Sequence, residues 1–173
     1  LKNSVFTTVC ALALALVFSA FQVIRKETVQ FTAKDGLVIT ADHYINAEGQ
    51  PYILLFHEQE SSRGEFDVIA RKLCKMDYNC LAVDLRNGGS AHSVSNETAK
   101  RCREDRCLTG PEQVEMDMLA AIDYAYELSS KPVVLLGSSA NGSLSLKLAK
   151  DHKLVKAVVA FSPGEYFLPG VNI

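Results

Sequence analysis

Four short, almost wholly apolar runs, residues 52–56, 80–83, 133–136 and 155–161, recur along the chain at intervals too long for hairpins. Runs of this length, rich in Val, Leu and Ile and bounded by turn formers, suit strands buried on both faces of a sheet. The segments between them have helical period. Phe66, Ile69, Ala70, Leu73 and Cys74 share one helix face within 63–76, and Val114, Met118, Ala121, Ala125 and Leu128 share another. The second of these helices has a clear start at Thr109-Gly110-Pro111-Glu112, with Pro in its first turn and acids after it. A third helix is expected over 142–150, and a short one near 97–103 inside the polar stretch 85–109. Strand and helix in alternation require a mainly parallel sheet, right-handed crossovers and helices on both faces, a three-layer α/β/α arrangement. Ahead of it, Val29 and Phe31 alternate with polar residues, Asp35-Gly36 supplies a turn, and 38–44 runs back, which predicts an N-terminal β-hairpin.

The first 24 residues stand apart. After Lys2, the stretch from Asn3 to Ile24 carries no charge, and its Ala-Leu centre and small residues at Ser19 and Ala20 suit a secretory signal peptide. About 20 apolar residues also suffice to span a bilayer, and Arg25-Lys26 behind them suits an uncleaved anchor. Both readings place the protein outside the cytoplasm, secreted, periplasmic or membrane-anchored, and any membrane association falls on residues 5–24. The domain reading is therefore 1–24 as targeting segment and 25–173 as the folded unit. Cys10 lacks the small-residue context of a lipid-attachment site and is read as structural.

In an oxidising compartment Cys74, Cys80, Cys102 and Cys107 become disulfide candidates. Cys102 and Cys107 flank the Arg-Glu-Asp-Arg turn and either close a short loop or remain thiols. With 18 basic and 20 acidic residues the chain offers no electrostatic footprint for a phosphate backbone, so nucleic acid is not an expected partner. Nor does any Cys spacing suggest a metal site, and no cofactor is implied.

In a sheet of this kind chemistry gathers beyond the carboxyl ends of the strands. Four such ends stand out, at 57–60, 84–90, 137–142 and 162–164. The third, Gly137-Ser138-Ser139-Ala140-Asn141-Gly142, is the most informative. Read as a phosphate-binding loop it fails, because Ser143 and Leu144 stand where a lysine and a hydroxyl are needed. Read as a G-x-S-x-G nucleophile elbow it centres on Ser139. Gly137 then fits, Asn141 departs from the small residue expected there, and Gly142 comes one place late. The helix that follows would set its free N–H groups and positive dipole end beside the Ser139 hydroxyl, where a developing oxyanion is stabilised.

Taken with Leu54-Leu55-Phe56-His57 and Asp84-Leu85-Arg86-Asn87-Gly88-Gly89-Ser90, this elbow makes the chain resemble the α/β-hydrolase family. The likeness is to its dienelactone-hydrolase-like and serine-aminopeptidase-like branches, and it runs from about Thr28 to Tyr166. The resemblance implies Ser139 as nucleophile, with the backbone N–H groups of Ala140 and Glu58 as oxyanion donors. Glu58 stands where the family usually has Gly. Asp84 and Arg86 are implied to orient their loop, and His57 to be a hydrogen-bonded loop residue. The implied reaction is cleavage of a small-molecule ester, or an amide, through an acyl-enzyme. In the family the acid and then the histidine of the triad follow two later strands. The expectation is accordingly a hydrolase sheet without its last strands and a chain that is by itself a weak catalyst, with the run 155–161 left as an apolar edge. The alternative is a non-catalytic, hydrolase-like protein that binds a ligand or partner at the same cleft, or an inactive remnant.

Overall fold

The computed structural model describes residues 23–165. Cys10 and all of the targeting segment 1–24 but its last two residues lie outside the described residues. Among the described residues, no helix is long and apolar enough to cross a membrane.

The hairpin forms as β1 (Arg25–Thr32) and β2 (Val38–Ile45), paired antiparallel through Phe31↔Ile39 and Val29↔Ala41. The first two apolar runs become β3 (Tyr52–Phe56) and β4 (Asn79–Val83), every residue of both being buried. The later runs become β7 (Val133–Ser138) and β8 (Val155–Phe161). The six strands lie in the order β1-β2-β4-β3-β7-β8, with β2 antiparallel to β4 and β4, β3, β7 and β8 mutually parallel. Register follows the apolar pattern, Leu54 lying opposite Leu81 on one side and Leu135 on the other.

Alternation along β3 divides the core in two. Tyr52, Leu54 and Phe56 enter one cluster with Leu81, Leu135, Met118 and Ile122, while Ile53 and Leu55 enter the other with Phe66, Ala70 and Cys74. The first cluster is closed by α3 (Pro111–Ser129), whose Val114, Met118, Ala121, Ile122 and Ala125 are buried. The second is closed by a 3-10 turn (Arg63–Phe66) and α1 (Asp67–Cys74). Burying one Leu- or Met-sized side chain is worth about 1.5–3 kcal/mol, so these two faces carry most of the stability. The expected helix faces differ at their margins: Ile69 and Leu128 are 37% and 44% exposed, because each sits at the rim of its stripe.

The polar stretch after β4 is more structured than its composition suggests. It holds a two-stranded ribbon, β5 (Ser90–Ala91) with β6 (Val94–Ser95), and then α2 (Glu97–Asp105). Asn96 starts α2 by accepting the N–H of Ala99 at 2.7 Å. Cys102 and Cys107 are joined in a disulfide, whereas Cys74 and Cys80 are buried thiols. The last helix, α4 (Ser139–Asp151), starts at Ser139, three residues before the expected Gly142. Among the described residues β8 pairs with β7 alone, and Val159 and Phe161 are 44% and 52% exposed.

Candidate active site

Between β7 and α4 the chain turns within one residue. Ser138 is still extended, and Ser139 follows at φ +52°, in the left-handed region that a residue with a Cβ enters at a cost of about 1–2 kcal/mol. The close packing behind the turn explains its glycines. A Cβ on Gly137 would lie 2.6 Å from Ser145 Oγ and 2.8 Å from the Asn141 carbonyl oxygen, and one on Gly142 would lie 2.9 Å from the Gly137 oxygen. Gly137 and Gly142 therefore touch each other, and Gly142 does the steric work that the motif assigns to the place Asn141 occupies.

Ala140, nearly fully buried, lies in the first turn of α4, where backbone N–H groups have no carbonyl four residues earlier in the helix to bind. Ser143 in the same turn is tied to the chain beyond β8: its hydroxyl donates to the Gly164 carbonyl at 2.7 Å and accepts the Gly164 N–H at 3.0 Å.

Asn141 is fully buried. Its Nδ2 donates to the His57 carbonyl at 2.6 Å, and its Oδ1 accepts from Asn87 Nδ2 at 3.2 Å. One side chain thus joins the elbow to the loops that follow β3 and β4.

His57 is also fully buried, and backbone partners fix its tautomer. Nδ1–H donates to the Glu58 carbonyl at 2.6 Å, and Nε2 accepts the Leu85 N–H at 2.9 Å, with Asn96 Nδ2 at 3.2 Å from the same nitrogen. Burial pushes its pKa down to about 4, so the ring is neutral at pH 7 and both nitrogens are spent. The Glu58 N–H, the second donor implied from sequence, donates to Glu65 Oε2 at 3.1 Å. For it to meet an oxyanion, the Glu65 carboxylate must first leave.

Asp84 and Arg86 hold the loop after β4 from within. Asp84 accepts the N–H groups of Arg63 and Glu97, each at 2.8 Å, and pairs with the Arg63 guanidinium. Burial nevertheless raises its pKa. Arg86, fully buried at its side chain, donates from Nε and Nη2 to Asp117 at 3.0 and 2.6 Å, and from Nη1 to Asp35 at 2.6 Å. Burial pushes Asp117 up to about 6 against the pull of that guanidinium.

A cleft of about 360 Å3 opens beside these strand ends, lined by Gln59, Glu60, Arg86, Asn87, Gly88 and Arg103 among others. A second groove, about 510 Å3, lies between β1 and α3 around Phe31 and Tyr124, and neither cavity is lined by a residue of the elbow. Among the described residues no group of three or more His, Cys, Asp or Glu side chains is placed to hold a metal ion.

The structure thus gathers Gly137, Ser139, Ala140, Asn141 and Gly142 with His57 and Glu58 at adjoining strand ends. The sequence reading missed Asp117, Asn96, Glu65 and the bridging role of Asn87. For Asp117 a signal existed, an acid beside Val114 and Met118 on an apolar helix face; the others sit in loops without periodicity.

The model of the dienelactone hydrolase family matches residues 37–169. No match was found among curated proteins. Solved structures share the fold. An esterase from Pyrococcus furiosus aligns over 81% of this chain and 50% of its own, with 20% identity and TM-score 0.62. A dienelactone hydrolase from Anabaena variabilis aligns over 83% of this chain and 65% of its own, with 19% identity and TM-score 0.65. For an α/β hydrolase from Novosphingobium aromaticivorans the figures are 80%, 44%, 21% and 0.58. The chain spans about half the length of the first of these structures.

Proposed function

The chain belongs to the dienelactone hydrolase family, and we propose that it carries the serine nucleophile of an ester-cleaving hydrolase. The observation that carries the reading is Ser139 itself, a non-glycine residue held at φ +52° on a strand-to-helix turn between glycines packed in contact. Such a turn lifts the hydroxyl clear of the sheet and sets it beside unpaired helical N–H groups.

In the proposed reaction Ser139 Oγ attacks the ester carbonyl carbon and its proton passes to a base. The carbonyl oxygen becomes an oxyanion facing the Ala140 N–H and the positive end of α4. Collapse expels the alcohol and leaves an acyl-Ser139 ester, which water then cleaves. We assign no base among the described residues, since both His57 nitrogens are committed. In the family pattern the acid and the histidine of the triad follow later strands. Export is part of the same proposal, supported by the apolar segment 5–24 and by the Cys102–Cys107 disulfide.

The reading is tested by incubating the chain with p-nitrophenyl acetate, quenching in acid and mapping acetylated peptides. The expected result is acetyl on Ser139 and none at that peptide in Ser139→Ala.

A further inference from the structure

Asn141 breaks the G-x-S-x-G pattern at its last place, yet it is fully buried with hydrogen bonds from both ends of its amide. The carbonyl of His57 can only accept, so Nδ2 faces it. Oδ1 is then the atom left to accept from Asn87, whose own backbone carbonyl receives the Glu60 N–H at 3.1 Å. The His57 carbonyl and the Glu58 N–H belong to one planar trans peptide unit and point in opposite directions. Whatever holds the first therefore aims the second. Asn141 and Ser139 lie in the same first turn of α4, so the bond also fixes the candidate nucleophile relative to loop 57–61.

We propose that Asn141 is a positioning residue that locks the loop after β3 to the nucleophile elbow, so that Ser139 and the backbone donors of that loop hold one geometry. This rests on the serine-hydrolase reading for its consequence in rate, but the lock itself is a property of the fold. A glycine at 141 would restore the small residue of the motif and remove the lock. It would leave the His57 carbonyl and the Asn87 amide without their partner.

The test uses the 173-residue chain, its Asn141→Gly and Asn87→Ala variants, and two readouts. The first is modification of Ser139 by a fluorophosphonate, resolved into a limiting rate and a half-saturating probe concentration. In Asn141→Gly the limiting rate should fall on the order of 100-fold, the scale of misplacing a reacting group by about 1 Å, with the half-saturating concentration unchanged. The second is amide hydrogen exchange at Glu58, Glu60 and Ser61. It should quicken roughly five- to tenfold, while Ala33 and Gly36 in the hairpin turn stay as they were. Asn87→Ala, which spares the bond to His57 and changes a partly exposed residue, should move both readouts in the same direction by less; it serves if Asn141→Gly does not fold. Unchanged exchange in the loop overturns the proposal whatever happens to labelling, and so does a fall in limiting rate without faster exchange. If the wild-type chain shows no Ser139-dependent labelling, the serine-hydrolase reading fails and the exchange measurement still decides whether Asn141 locks the loop.

Discussion

The backbone N–H of Leu85 donates to Nε2 of His57 at 2.9 Å, so this histidine is a fixed, neutral acceptor inside the loop and not a proton carrier. With burial holding its pKa at about 4 against an ordinary 6.5, the folded protein declines a proton that the unfolded chain takes up. Stability from this group is complete above pH 6.5 and is lost as pH falls from 6.5 to 4, by about 3 kcal/mol in all. Over the same window Asp117, pushed up to about 6 by burial, takes up its proton first in the folded protein and works in the opposite direction. Urea denaturation at pH 7 and pH 4.5 should therefore show the His57 loss as the difference between the wild type and His57→Gln. The difference between the two proteins isolates His57 from His43, whose pKa burial also lowers. Asp67, held at about 2 by Arg71, Lys26 and Tyr44 against its partial burial, acts below this window.

Ser139 stores strain. Ser139→Gly should therefore stabilise the fold by about 1 kcal/mol while abolishing acylation, because φ +52° costs glycine nothing. Gly137→Ala should do the reverse to the fold. Its Cβ meets Ser145 Oγ and the Asn141 carbonyl within 2.8 Å, and forcing them apart should cost about 1–3 kcal/mol. Thermal denaturation of the two variants beside the wild type measures both.

Arg86 and Asp117 form a pair in which neither side chain reaches solvent. Asp117→Ala leaves the guanidinium buried with Asp35 as its remaining carboxylate partner, and should cost about 3–5 kcal/mol in chemical denaturation. Asp35 is 31% exposed at its side chain, and Asp35→Ala should cost clearly less.

The Cys102–Cys107 disulfide closes a loop with a sequence separation of 5, which by chain entropy is worth about 2 kcal/mol. Unfolding free energies from denaturant titrations with and without dithiothreitol should differ by that amount in the wild type and not in a Cys102→Ser, Cys107→Ser double variant.

The sheet was legible because its strands are buried on both faces and so write themselves as apolar runs. The elbow was legible because Gly137 and Gly142 answer to a steric demand made within six residues. What the sequence left hidden depends on contacts between distant loops. Asn141 reaches across 84 positions to His57, and Arg86 across 31 to Asp117, without periodicity to announce either. The expected Glu58 donor illustrates the same limit, for nothing local reveals that Glu65 takes its N–H. Ser139 began α4 three residues early because the turn is complete in one strained residue, where a relaxed loop would have needed several.

The central claim is that Ser139 is the nucleophile. The most direct measurement is the site of phosphonylation when the chain is exposed to a fluorophosphonate and its peptides are mapped by mass spectrometry. Even where no general base reaches a serine, an oxyanion site and binding accelerate attack by about 10³–10⁴ over water, so modification, however slow, should be confined to Ser139. It should be absent from that peptide in Ser139→Ala. Label spread over other serines, or undiminished in Ser139→Ala, would contradict the account.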